Sequence, residues 1–263
     1  MGSINPVFLL PGKVAADAES LAQQLAASIT LGMGQFCTQP GLIVAIDTEP
    51  LNRFIHCLKK EIENVIPSAM LHEGIAEKYT QNLSSALTQK GVQLVGEALT
   101  AAIPGQGQIT LATATAPTFL GHPLLHEEVF GPYSLIIQCK DEIELLAVAK
   151  AIKGQLTTTL MATDKDLELH GELIDQVQEL CGRLIFNNVP TGVEVALSMH
   201  HGGPFPASTD SRFTAVGADA IKRFVRPLCY QNCPDEFLPD ELKNDNPLEL
   251  WRTVNNVLTK EKI

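Results

Sequence analysis

The chain has 263 residues, of which 45% are hydrophobic, and it carries a formal net charge of −11. This length and composition are enough for one large folded domain or two small ones. The acidic balance, without a cluster of lysine or arginine, argues against binding to nucleic acid or to an anionic membrane surface, so we expect a small molecule or a protein as partner.

The cysteines and the apolar runs indicate the compartment. No apolar run reaches the ~20 residues of a membrane span, and the N-terminus lacks the pattern of an export signal. Six cysteines are scattered along the chain without zinc-site spacing, and the adjacent His200 and His201 do not have the spacing of metal ligands. We therefore expect reduced thiols, a cytoplasmic protein and no metal site.

Short apolar runs alternate with segments of helical periodicity over residues 6–187. The predicted strands are 6–10, 42–46, 92–98, 108–114, 134–139, 156–162 and 183–187, and the predicted helices are 15–30, 48–65, 69–89, 141–153 and 164–180. Such alternation is typical of βαβ units, and it predicts an α/β fold, an open three-layer sandwich with a mainly parallel twisted sheet. Ligands of such sheets bind beyond the carboxyl ends of the strands, where we expect the loops at Cys37 and Asn187 to gather.

The remainder of the chain has less regular patterning. Residues 189–217 are rich in Gly, Pro, Ser and Thr, and a loop of this length inside a domain is usually functional or disordered. A short helix at 218–223 and a strand at 224–230 follow. We expect a catalytic domain over 1–223, an assembly strand within 224–234 and a polar tail over 235–263.

Cys37 is the candidate nucleophile. It follows a turn with glycines at positions 32 and 34, and an apolar strand begins at residue 42. Glycines allow positive φ and close backbone approach, a setting that a buried structural thiol does not need. The alternative is that Cys37 is one of six ordinary buried thiols.

Three segments in this order resemble the catalytic half of the aldehyde dehydrogenase superfamily. They are residues 34–37 (GQFC), residues 127–132 (EEVFGP) and Asn187. Residues 190–195, 201–207 and 223–231 further resemble the branch that oxidises 2,5-dioxopentanoate, also called α-ketoglutarate semialdehyde.

The resemblance implies a role for each matching residue. Cys37 falls on the nucleophile, whose thiolate attacks an aldehyde to give a thiohemiacetal and then, after hydride transfer to NAD or NADP, a thioester that water hydrolyses. The main-chain N–H of Cys37 can donate to the oxyanion. Glu128 and Phe130 fall on residues that position the nicotinamide ribose and ring. Glu127 and Glu128 can also be read as a helix-cap or solvated pair, and Asn187 as a turn former at a strand end.

Four residues are candidates for contact with the aldehyde. Arg212 can hold the distal carboxylate in a bidentate manner, although plain surface solvation is an alternative. Phe36, Thr38 and Phe205 can line the substrate tunnel, although aromatic residues near a glycine turn often serve packing alone.

The resemblance also implies what lies outside this sequence. The family's general-base glutamate would fall immediately before Met1, and its cofactor domain would precede this chain; no G-x-G-x-x-G motif occurs within it. We therefore expect a reactive thiol without dehydrogenase activity in the isolated chain, and a second copy or a cofactor-domain chain as protein partner. The alternatives are a cysteine-dependent esterase or acyl-transfer domain and a non-catalytic assembly partner.

Overall fold

The centre of the structure is a seven-stranded sheet. A computed structural model describes residues 2–263, and all seven strands belong to the unit that ends at Arg223. The strands are β1 (Val7–Leu9), β2 (Leu42–Ile46), β3 (Gln93–Glu97), β4 (Thr110–Thr115), β5 (Tyr133–Cys139), β6 (Gln155–Met161) and β7 (Cys181–Phe186). Their order is β3-β4-β5-β2-β1-β6-β7, and only β3 runs antiparallel to its neighbour.

Helices cover both faces of this sheet. They are α1 (Pro11–Thr30), α2 (Glu49–Glu63), α3 (Glu73–Leu87), α4 (Ala116–Gly121), α5 (Glu142–Ala151), α6 (Asp164–Leu169) and α7 (Gly171–Leu180). Alternate residues of β1 bury on opposite faces: Val7 and Leu9 pack with α1 and α2, while Phe8 packs with α3, α4, α5 and α7. The predicted three-layer α/β sandwich with a mainly parallel sheet is confirmed.

The helix predicted over 164–180 is two helices. Its first cap is Thr163 rather than Asp164: the Thr163 hydroxyl accepts from the Asp166 N–H, and the Asp166 carboxylate accepts from the Thr163 N–H in return. The break lies at His170, whose φ of −112° and ψ of 40° depart from helical values and whose ring Nδ1 lies 2.8 Å from the Asp166 carbonyl oxygen. Short-range capping therefore overrides a continuous apolar periodicity.

The second unit comprises Phe224–Ile263. It contains a short hairpin of β8 (Arg252–Val254) and β9 (Val257–Thr259), and the buried Asn246 side chain bonds to the backbone of Leu250 and Lys260. Residues 224–230, for which an assembly strand is predicted, pair with no strand among the described residues, and Phe224 ends a short 3₁₀ helix. Because an assembly strand pairs with another chain, it stays a prediction.

No helix within residues 2–263 is both long and apolar enough to cross a membrane.

Candidate active site

A strained turn places Cys37 at the surface. After α1 ends at Thr30, Gly32, Met33 and Gly34 adopt positive φ values of 55°, 56° and 65°. A left-handed backbone conformation is costly for residues other than glycine, so the strain falls on Met33. The three residues together turn the chain within one short 3₁₀ segment. The Cys37 side chain is exposed as a free thiol.

Gly34 joins the cysteine turn to the 127–132 segment. A Cβ atom on Gly34 would collide with the backbone of Gly131 and Pro132, and a Cβ on Gly131 would collide with the ring of Tyr79. The backbone contact thus requires the absence of a side chain at Gly34, while the Tyr79 ring requires its absence at Gly131. The two motifs that the sequence separates by 90 residues are therefore packed directly against each other.

Asn5 holds the backbone on which Cys37 sits. This buried residue has a φ of 46°, and its Nδ2 donates to the carbonyl oxygens of Cys37 and Gln39, both at 3.0 Å. Asn tolerates left-handed backbone better than most residues, which suits it to this position. The Cys37 loop is thereby tied to the residues just before β1.

A polar network around Ser3 supports Asn5 in turn. The Asn5 Oδ1 accepts from the Ser3 hydroxyl at 2.8 Å and from the Thr157 hydroxyl at 3.0 Å. The Gln155 Oε1 accepts from the backbone N–H groups of Ile4 and Asn5. Because buried polar groups are costly when unpaired, these bonds fix one arrangement of the segment that faces Cys37.

One cavity of about 300 Å³ brings Cys37, Glu128 and Phe130 together. Ser3, Leu156, His201 and Arg223 also line it. A neighbouring cavity of about 410 Å³ shares Ser3 and Glu128 and is lined by Lys153 and Phe205. The predicted nucleophile and both predicted cofactor contacts thus line a single concave site.

Burial changes the ionisation of the side chains in this site. It raises the pKa of Glu128 to about 7, although a backbone hydrogen bond from Ser3 opposes the shift. Burial, together with Arg183 and His200, lowers the pKa of His201. Burial also lowers the pKa of Arg183, and the neighbouring Cys37 opposes that shift.

The other predicted substrate contacts lie outside the Cys37 cavity. Phe205 is highly exposed on the neighbouring cavity, while Phe36 and Thr38 flank Cys37 in sequence but line neither cavity. Arg212 lies at a separate surface cavity, where its Nε and Nη2 donate to Asp210 at 2.9 and 2.6 Å. The structure therefore does not bring Arg212 to Cys37.

The site lies at the amino ends of the parallel strands. Cys37 precedes β2, and Glu128 and Phe130 precede β5, whereas Asn187 follows β7 at the opposite edge. The expectation that the Cys37 and Asn187 loops gather at the carboxyl ends is wrong. Asn187 instead clamps the sheet, since its side chain exchanges two hydrogen bonds with the Ala162 backbone at 2.9 and 2.8 Å.

Comparison with known proteins identifies the family. The model of the aldehyde dehydrogenase family matches residues 1–225. The chain belongs to this family. It is 42% identical over 261 residues to the alpha-ketoglutaric semialdehyde dehydrogenase of Acinetobacter baylyi, and 42% identical over 252 residues to alpha-ketoglutaric semialdehyde dehydrogenase 2 of Azospirillum brasilense. These matches cover 99% and 96% of this chain but only 50% and 48% of the relatives, so this aldehyde dehydrogenase chain spans about half the length of the curated relatives it matches.

Solved structures show the same fold. A putative methylmalonate-semialdehyde dehydrogenase from Sinorhizobium meliloti, complexed with NAD, matches with a TM-score of 0.68 at 19% identity, over 86% of this chain and 46% of that one. Proline utilization A from Bdellovibrio bacteriovorus matches with a TM-score of 0.70 at 20% identity, over 88% of this chain and 23% of that one. The resemblance predicted from three short motifs is confirmed.

Sequence reasoning missed two residues that interact with the candidate nucleophile Cys37. Asn5 precedes Pro6 in an apolar run, and Arg183 opens a predicted strand, so neither pattern indicates a functional side chain. Their roles depend on contacts with residues 32 or more positions away. A polar side chain directly beside an apolar strand is the one feature of the sequence that could have drawn attention to Asn5.

Proposed function

We propose that this chain is the catalytic portion of an NAD(P)-dependent aldehyde dehydrogenase that oxidises 2,5-dioxopentanoate to 2-oxoglutarate. The observation that carries the proposal is the exposed Cys37 thiol in one cavity with Glu128 and Phe130. The substrate is suggested by the printed names of the two relatives that are 42% identical.

Cys37 carries the covalent chemistry. After the thiol loses its proton, the Cys37 sulfur attacks the aldehyde carbon and the carbonyl oxygen becomes the oxyanion of a thiohemiacetal, which re-forms a carbonyl when hydride leaves the carbon. The main-chain N–H of Cys37 donates to that oxyanion. A nicotinamide held beside Cys37 by Glu128 and Phe130 would supply the acceptor for the hydride that leaves this carbon. Water then attacks the resulting thioester, which releases the carboxylate product and restores the thiol.

The residues present fit the nicotinamide end of such a cofactor. Glu128 and Phe130 line the cavity that contains the Cys37 thiol, which supports a role for them in orienting a ribose and a ring beside the sulfur. Phe130 offers an apolar surface for a ring, and Glu128 offers a carboxyl group for a ribose hydroxyl. Whether NAD or NADP is preferred depends on contacts beyond these two residues.

The same proposal extends to the partners and location of the chain. We expect the dehydrogenase reaction to require a cofactor-binding half, in the same polypeptide or in a separate chain, and we expect the isolated chain to have a reactive thiol with negligible dehydrogenase activity. A second copy of the chain is the other expected partner. A cytoplasmic location stays a prediction from the unpaired cysteines.

A fusion protein tests the proposal directly. Joining this chain to the N-terminal half of the Acinetobacter baylyi relative is expected to give NAD(P)H formation with 2,5-dioxopentanoate. Cys37→Ala in that fusion should reduce the rate about 10³-fold or more, because the covalent route is lost. Cys229→Ala, which removes another exposed thiol, is the matched control and should keep the rate. A Cys37→Ala fusion as active as its parent contradicts the proposal.

A cysteine-dependent esterase or acyl transferase is the second candidate. It is favoured by the exposed Cys37 thiol, since a thiol can be acylated without a nicotinamide. Hydrolysis of a p-nitrophenyl ester by the isolated chain should then fall sharply in Cys37→Ser. Equal rates for the parent and the variant would rule this candidate out.

A further inference from the structure

The Glu128 carboxyl group borders two cavities. Glu128 lines the cavity of about 300 Å³ that contains Cys37, and it also lines the neighbouring cavity of about 410 Å³. Gly2 and Ser3 line both cavities as well, and a Cβ atom built on Gly2 would lie 3.1 Å from the Glu128 Oε2 atom. The carboxyl group therefore rests against the backbone of Gly2, at a place that both spaces share.

The Cys37 cavity has room for water beside an acylated sulfur. A water molecule needs on the order of 15 Å³ of such space. The cavity of about 300 Å³ therefore holds a small acyl group on Cys37 together with water. Because Glu128 also borders the neighbouring cavity, water can reach its carboxyl group while an acyl group fills the space next to the sulfur.

The ionisation of Glu128 suits proton transfer near neutral pH. Burial raises its pKa to about 7, and a base is most effective when its pKa lies near the working pH. His201 is the other base that lines the Cys37 cavity, but burial lowers its pKa, so its ring is the weaker proton acceptor. The charged and titratable side chains around Glu128 in the two cavities are Cys37, His126, Glu127, Lys153, His201 and Arg223.

We propose that Glu128 is the general base that activates water for hydrolysis of the acyl thioester at Cys37. This inference rests on the proposed function, because Cys37 must first carry an acyl group. The family's general-base glutamate is expected before Met1, outside this sequence, and Glu128 is a second carboxyl group that this chain itself brings to the Cys37 cavity. A ribose hydroxyl bound to Glu128 would occupy the carboxylate, so the hydrolysis follows the release of that contact.

The step transfers one proton out and back. The Glu128 carboxylate takes a proton from water while the water oxygen attacks the thioester carbon, and the carbonyl oxygen becomes an oxyanion. The oxyanion re-forms the carbonyl, the bond between carbon and sulfur breaks, and the acid product leaves. The Cys37 sulfur departs as a thiolate and takes the proton that Glu128 holds, which restores both the thiol and the carboxylate.

Acetylation of Cys37 isolates this step in the chain as it stands, without a nicotinamide. Brief treatment with p-nitrophenyl acetate transfers an acetyl group to exposed thiols and releases p-nitrophenolate. Gel filtration removes the ester, and peptide mass spectrometry follows the loss of the acetyl group from Cys37 with time. Cys229 is exposed as well, so its acetyl group serves in the same sample as the reference for hydrolysis without a base.

In the parent chain, Cys37 should lose its acetyl group about 10²-fold faster than Cys229 or more. Glu128→Gln should be acetylated at the rate of the parent but should lose the acetyl group about 10²-fold more slowly, because an amide does not accept the proton. Glu128→Asp keeps a carboxylate on a shorter side chain and should retain part of the rate. Glu127→Gln is the matched control, since Glu127 lines the neighbouring cavity but not the Cys37 cavity, and it should behave as the parent.

The pH dependence is a readout that a purely structural role of Glu128 would not change. The rate at which Cys37 of the parent loses its acetyl group should rise as the pH approaches about 7 and level off above it, because the carboxylate is then ionised. In Glu128→Gln the rate should have no such plateau and should follow the concentration of hydroxide.

The outcomes separate the two proposals. Loss of the acetyl group at the parent's rate in Glu128→Gln, equal slowing in Glu127→Gln, or slowing only in His201→Asn overturns the assignment of the base and leaves Cys37 as the nucleophile. A parent without the plateau overturns it whatever the variants do, and so does a Glu128→Gln variant that is no longer acetylated. A parent in which Cys37 is not acetylated contradicts both the nucleophile of the proposed function and the base.

Discussion

Glu128 illustrates how one side chain couples the site to pH. Burial raises its pKa from 4.5 to about 7, so the folded state holds this proton more tightly than the unfolded chain does. The stabilisation of the folded state by protonated Glu128 is complete below its ordinary pKa of 4.5. This stabilisation is lost as the pH rises through about 7, the pKa of Glu128 in the folded state. The free energy of unfolding should therefore decline over this window because of Glu128.

Replacing Glu128 by Gln tests that coupling. The variant keeps the shape of the side chain but cannot ionise, so its free energy of unfolding should decline less than that of the parent between about pH 4.5 and 7. Urea denaturation at a series of pH values measures the difference. Glu127→Gln, a charge removal at the neighbouring position, is the control. Parallel curves for parent and Glu128→Gln would contradict the predicted role of burial.

Gly34 gives a second prediction at the scale of one residue. Gly34→Ala adds a methyl group at a φ of 65° and against the Gly131 backbone, so we expect a loss of about 1–3 kcal/mol in the free energy of unfolding. Gly171→Ala, where an added Cβ meets nothing within 4 Å, should cost far less. Chemical denaturation compares the two variants. If both cost the same, the direct contact between the two motifs is not important for stability.

Two helices share one capping carboxylate. Asp166 accepts from the Gly12 and Lys13 N–H groups at the start of α1, both at 2.9 Å, and from the N–H of Thr163 before α6 at 2.8 Å. Burial favours a higher pKa, but the hydrogen bonds from Thr163, Gly12 and Lys13 outweigh it and hold the pKa of Asp166 below its ordinary value. The ionised form therefore stabilises the junction of α1 and α6.

Asp166→Ala should lower the free energy of unfolding by about 2 kcal/mol or more near neutral pH, because two helix starts lose their acceptor. The difference in the free energy of unfolding between parent and variant should shrink as the pH falls below 3.8, the ordinary pKa of an aspartate. It should vanish below the lower pKa that Asp166 has in the folded state, because the parent carboxylate is then protonated as well. Asp164→Ala, an exposed first-turn acid of the same helix, is the control. A loss that is independent of pH would contradict a capping role for the ionised carboxylate.

Strand positions were the most predictable elements. β2 matches its predicted bounds, and the six other strands of the sheet agree with theirs to within two residues at each end. Buried parallel strands read as short apolar runs, whereas the antiparallel β3 is mostly exposed. The helix break at His170 was not predictable, since periodicity continues across it. The 224–230 segment has strand-like composition, but a strand forms only where a partner offers its backbone groups.

At the scale of the whole molecule, the sequence motifs identify the candidate catalytic side chains but not the tertiary contacts around them. The segments around Cys37 and Glu128 are local patterns, and the sequence reveals them without a structure. The support of Cys37 by Asn5, the register of Arg183 with Thr157 and the pairing of Arg212 with Asp210 depend on tertiary contacts or on side-chain rotamers. The general rule for open α/β sheets also misplaced the site, because it concerns carboxyl ends of strands and Cys37 lies at the amino ends.

The Asp166 cap has a consequence for anion binding by this sheet. The connection after β1 leads to β2 on one side of it, and the connection after β6 leads to β7 on the other side. The carboxyl ends of β1 and β6 therefore form the topological switch point of the sheet. Doubly wound folds bind nucleotide phosphates at such a point, on the amides of a helix N-terminus. Here the first-turn amides of α1 already hold a carboxylate supplied from beyond β6. A phosphate arriving at that edge would have to displace a buried negative charge, so the α1 amides are closed to a phosphate as long as Asp166 is ionised.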